Sequence, residues 1–97
     1  MILDIQQIEA QIRRIAKTGS RGVALSRHCK EESMPERNVD FQDILNVLNW
    51  GKAVHNPDEK TNMKFKVYGV DIEGVSLCVI VILIDENSLY VKTVHDV

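Results

Sequence analysis

A chain of 97 residues is long enough to bury one hydrophobic core and too short for two domains. Its 44% apolar and 27% charged residues are the balance of an ordinary globular protein, which excludes a disordered chain. A formal charge of -2 and a pI near 5.9 exclude the overall basic field of proteins that bind nucleic acid by phosphate neutralisation, which counts against an RNA-binding role.

The first predicted element is an amphipathic helix. Asp4 followed three residues later by Gln7 reads as a capping box, and Ile5, Ile8, Ile12 and Ile15 recur at helical spacing up to Gly19. Gly19 is expected in the left-handed conformation, and Arg13, Arg14 and Lys17 complement the negative end of the helix dipole. With Arg21, Arg27, Lys30 and Arg37 they make a basic stretch opposed only by Glu31, Glu32 and Glu36. Its simplest reading is a solvated helix face; a local basic patch is the alternative.

Val23 to Leu25 reads as a short strand, before Ser26 caps a second helix expected to stop at Pro35. A third helix has Asp40 as N-cap, Val39 and Ile44 as a hydrophobic staple, Phe41, Ile44, Leu45 and Leu48 on one face, and Gly51 at its end. Trp50, in its last turn, is expected to bury its ring against a sheet.

A short edge strand around Ala53 to His55 precedes a mobile loop turning at Asn56-Pro57-Asp58-Glu59. Lys64 to Val70, Val75 to Ile84 and Leu89 to Val94 are then three strand-like runs, separated by hairpin-length turns at Asp71-Ile72-Glu73-Gly74 and Asp85-Glu86-Asn87-Ser88. The fold class is therefore α+β, with N-terminal helices packed on an antiparallel meander of three or four strands. Leu77 to Ile84 is apolar at every position, which predicts a central strand covered on both faces. The third helix is expected on one face, and the first helix, a partner chain or a pocket on the other.

Cys29 and Cys78 lack CxxC spacing and read as reduced, buried thiols. No signal peptide is evident and the longest apolar run is too short to cross a bilayer, so a cytoplasmic domain with no membrane partner is expected.

The candidate chemistry sits on the meander. Lys64, Lys66 and Tyr68 share one face of their strand, while Tyr90, Lys92 and Val94 alternate against Leu89, Val91 and Thr93. If the polar sets share a side, lysines grip a phosphate backbone and a tyrosine stacks a base; the plain alternative is an ordinary edge-strand face. On the second helix, Glu32 stands four residues from His28 and can orient its imidazole for acid-base work. His28, His55 and His95 share no ligand spacing, and no GxGxxG or Walker motif occurs, so neither a metal nor a cofactor is expected.

Ser26 to Met34, Asp43 to Leu48, Gly51, Phe65-Lys66-Val67-Tyr68-Gly69, Val79-Ile80-Val81 and Val91-Lys92-Thr93-Val94 together resemble the domain of unknown function 4258 family of small bacterial proteins. The resemblance covers residues 23–94, so the chain reads as one domain over residues 1–97, with residues 1–18 an accessory helix and residues 23–97 the family-like core. One extra residue between Glu32 and Met34 departs from the usual family spacing. The family is similar in fold to the RelE-like and MqsR-like toxins of bacterial toxin-antitoxin pairs, which cleave messenger RNA.

The resemblance implies an endoribonuclease acting without a cofactor, and an antitoxin partner, including one with a zinc-binding domain. Its catalytic cast would be His28, Tyr90, Lys92 and His95, with Lys64, Lys66, Tyr68 and Arg27 holding the RNA. The competing expectation is a non-enzymatic interaction module, whose second sheet face is completed by a homodimer or a partner helix.

Overall fold

The computed structural model describes residues 4–55 and 63–97; the Asn56-Pro57-Asp58-Glu59 turn and its loop lie outside them. Helix α1, Ile5–Ala16, starts at the Asp4–Gln7 capping box and buries Ile8, Ile12, Ile15 and Ala16. Gly19 takes a φ of 61° as the chain turns into β1, Val23–Leu25.

Ser26 caps the second helical segment: its hydroxyl accepts from the Cys29 amide at 2.9 Å and donates to the Lys92 carbonyl at 2.6 Å. This segment does not stop at Pro35. A π-helical turn over Cys29–Ser33 runs into α2, Met34–Glu36, with the Met34 N–H bonded to the Cys29 carbonyl five residues back. In a regular helix the proline ring collides with the carbonyl four residues earlier. Here the widened turn takes up one residue and lets the helix pass, as π-bulges formed by single-residue insertions do. Ser33, the position between Glu32 and Met34 where the resemblance leads us to expect an extra residue, lies inside that turn.

Helix α3, Phe41–Trp50, is closed at its start by a reciprocal Asp40–Asp43 capping box. It buries Ile44, Val47 and Leu48, and Val39 joins them as the staple. Trp50 does not bury its ring; it is 77% exposed, because the last turn of α3 directs residue 50 away from the sheet while Val47 and Leu48 face it.

The sheet has five strands in the order β1-β5-β4-β3-β2, with β2 Lys52–His55, β3 Lys64–Val70, β4 Ser76–Asp85 and β5 Ser88–Asp96. The expected three- to four-stranded antiparallel meander is thus corrected. The additional edge is β1, which pairs with β5 in parallel, Val23 opposite Leu89 and Leu25 opposite Val91. Parallel pairing needs a long crossover between the two strands, and the helices and the meander provide it. Three residues are too few to show a strand period, so no sequence pattern announced this pairing.

Both α1 and α3 lie on one face, over Leu77, Val79, Val81, Val67, Val91 and Val94. β4 is central, but among the described residues no helix covers its second face. Cys78 and Ile80 are buried there between flanking strands, Ile82 is half-buried and Ile84 is exposed. Of the three covers expected for that face, the first helix is ruled out: α1 packs beside α3 because the two apolar stripes complete one layer together.

Candidate functional site

The uncovered face is written by the strand register. Across the sheet, Lys64 faces Ile82 and then Tyr90; Lys66 faces Ile80 and then Thr93; Tyr68 faces Cys78 and then His95. Strict alternation from Tyr90 would have put Val94 on this face and His95 on the other. Instead Thr93 pairs with Ile80 and Val91 with Val81, so Lys92 is an extra residue in β5. Such a bulge shifts the phase of everything after it. Val94 turns into the core, and Thr93 and His95 join Tyr90 on the open face.

Past β1, the second half of β5 has the helical segment as its neighbour rather than a strand. Ser26 holds the Lys92 carbonyl, and the Ser33 hydroxyl accepts from the Val94 amide at 3.4 Å. These two bonds seat the first turn of the segment, and with it Arg27 and His28, beside the open face. Between them lies a trough of about 460 Å³ lined by Ser26, Arg27, His28, Ile82, Tyr90, Lys92, Thr93 and His95.

Of the residues singled out from sequence, Arg27, His28, Tyr90, Lys92 and His95 therefore meet in one cavity. Lys66 and Tyr68 lie on the same face, both on β3, two strands from β5. Lys64 shares that side but is 4% exposed and presents no cation to solvent. His55 is on the opposite face, tilted against Phe65 with ring centroids 4.8 Å apart, so it is separated from His28 and His95. Among the described residues no group of three or more His, Cys, Asp or Glu side chains is placed to hold a metal ion.

The two histidines differ in their surroundings. His28 Nδ1 is 2.6 Å from the Glu32 carboxylate, which fixes the plane of the ring; Arg27 pairs with Glu31 at 3.0 Å one position earlier. His95 is held below the ordinary imidazole range, first by burial and then by the positive charges of Arg37, Lys66 and His28, with Asp96 opposing. Its imidazole is neutral near pH 7. Arg37 approaches Asp96 at 3.5 Å and donates to the Ser33 carbonyl at 3.3 Å, so a cation is fixed at this end of β5. The Cys78 thiol, in the same rung as His95, is pushed up by burial and is not a nucleophile.

Thr93 and Ser26 line the trough and were not among the sequence candidates. Ser26 could have been found from its N-cap position. Thr93 could not, because only the bulge puts it on this face. Thr93 is 8% exposed, and its hydroxyl has no hydrogen-bond partner among the described residues.

A single α+β layer pair with one bare sheet face and two histidines in a trough at its edge is the class of domain these features define. The chain belongs to the family described as Domain of unknown function (DUF4258), which it matches over residues 25–96. No curated protein and no solved structure matches it. Helix α1 precedes the matched residues, yet Ile8, Ile12 and Ile15 share the one core with the rest. Among the described residues no helix is long and apolar enough to cross a membrane.

Proposed function

We propose that this protein is a messenger-RNA endoribonuclease, the toxin of a bacterial toxin-antitoxin pair, with the trough along β5 as its active site. The observation that carries this reading is the presence of His28 and His95 in one cavity beside Arg27 and Lys92. Neutral His95 takes the proton of a ribose 2′-hydroxyl, whose oxygen attacks the adjacent phosphorus. The 5′-oxygen leaves with a proton from His28, which Glu32 orients. Arg27 and Lys92 stabilise the charge of the phosphorane. The products are a 2′,3′-cyclic phosphate and a 5′-hydroxyl, and atoms balance without any oxidant or cofactor. The toxin assignment is an expectation from the sequence resemblance to RelE-like and MqsR-like proteins, with no solved structure matching the chain, and it implies an antitoxin partner.

The test is incubation of purified protein with single-stranded RNA in a chelator, followed by end-group analysis. Cyclic phosphate ends are expected, with loss of about 10²-fold or more in His28→Gln and His95→Gln. The acid limb of the pH-rate profile should lie below that of an ordinary histidine base, because His95 stays neutral to lower pH. Intact RNA with the folded protein would overturn the assignment.

One observation favours a second reading, a homodimer through the same face: Val54, Tyr68, Val70 and Ile84 are exposed there. Light scattering at high concentration separates the two, since a dimer sealed on this face leaves RNA no access to the trough.

A further inference from the structure

The trough has a direction and a width as well as a set of reactive groups. Tyr90 lies opposite Ile82 and His95 opposite Cys78, so the two mark ends of the trough four ladder steps apart, about 13 Å. A stacked strand advances only about 3.4 Å per nucleotide, so a base at Tyr90 and a phosphodiester at His95 are not neighbours in a stacked helix. An unstacked strand laid along β5 meets both.

Its cross-section points the same way. One wall is the shoulder of Arg27 and His28, the floor is Ile82 with Thr93, and the volume of about 460 Å³ is that of a small-molecule pocket, far short of a duplex. A duplex keeps its bases stacked inside and offers only backbone and a shallow groove to such a slot. Beside Tyr90, the buried Thr93 hydroxyl has no protein partner among the described residues. Rotation about χ1 exchanges that hydroxyl with the methyl group and turns it to the slot, where it can meet the edge of a base as donor or acceptor.

We propose that the trough binds single-stranded RNA over a two-nucleotide footprint, one unstacked base lying on Tyr90 with its edge on Thr93 and the phosphodiester lying between His28 and His95. This rests on the endoribonuclease reading and specifies its substrate: single strands only, with base selection made at Tyr90 and Thr93 rather than at the reacting phosphate.

The experiment uses 2′-O-methyl oligonucleotides, which cannot be cleaved, and reads binding by fluorescence anisotropy with the full chain. A labelled dinucleotide carrying a terminal phosphate is expected to bind within a few-fold of a tetranucleotide, and a blunt hairpin stem at least about tenfold more weakly. Tyr90→Ala should lose about tenfold or more while Tyr90→Phe keeps its affinity, as stacking requires. Thr93→Val should alter the ranking among the four bases, and Thr93→Ser should restore it, with unchanged melting curves showing that each variant is folded. Equal binding of the stem, or no loss in folded Tyr90→Ala, overturns the inference. Binding as described without cleavage of unmodified RNA removes the catalytic reading and leaves this one standing; cleavage by a protein indifferent to Tyr90→Ala does the reverse.

Discussion

At Gly51 the chain leaves α3 in an extended conformation that any residue could adopt, φ -80° and ψ 172°. What excludes a side chain there is space. A Cβ would sit 2.5 Å from the Val47 carbonyl oxygen and 2.6 Å from that of Tyr68, both backbone atoms of packed elements. Gly51→Ala is therefore expected to cost about 1–3 kcal/mol by overpacking, visible as a lower denaturant midpoint. Asp43 makes a different single-residue contribution. Its carboxylate accepts from the Asp40 amide at 3.0 Å and the Ile72 amide at 3.1 Å, so it ties the start of α3 to the β3–β4 turn. Those bonds hold its pKa below the ordinary carboxylate range, and Asp85 is lowered likewise by the Asn87 amide and Ser88. A carboxylate depressed in the folded state stabilises above its unfolded pKa and stops doing so as pH falls through the folded value. The melting temperature should thus fall on acidification from about pH 5 to pH 2, and Asp43→Asn should flatten part of that dependence.

At the scale of elements, two single-residue irregularities assemble the candidate site. The bulge at Lys92 decides which face His95 occupies, and the π-turn containing Ser33 carries the helical segment past Pro35 while anchoring it to β5. Neither is visible as periodicity, because each inserts one residue into an otherwise regular pattern. The regular parts were legible: the Asp4–Gln7 capping box, the Asp40 N-cap, the isoleucine stripe of α1 and the staple of α3 stand where their residue types predict. Ser33→Ala leaves the buried Val94 amide without its acceptor and is expected to destabilise by about 1–3 kcal/mol, measured by chemical denaturation. Under the proposed ribonuclease function, the same change should lower cleavage beyond its effect on stability, since it loosens the segment bearing His28 and Glu32.

For the whole molecule, α1 is the element whose importance exceeds its place in the family. It lies outside the matched residues 25–96, yet it fills the layer beside α3, and Arg14 donates to the Glu86 carbonyl and Asn87 of the β4–β5 turn. Ile12 is buried at its centre, and Ile12→Ala should cost about 2–5 kcal/mol, enough to unfold much of a domain this small. A thermal melt monitored by circular dichroism checks this. Local pattern alone determined the helices, their caps, the three long strands and the alternation that put Lys66 and Tyr68 on one side, because caps and periods act between residues a few positions apart. Tertiary structure decided the parallel β1–β5 edge, the exposure of Trp50, the bare second face of β4 and the gathering of His28, Tyr90 and His95. Those depend on pairing between residues more than 60 positions apart and on one bulged residue, whose cost is repaid only when Val94 reaches the core.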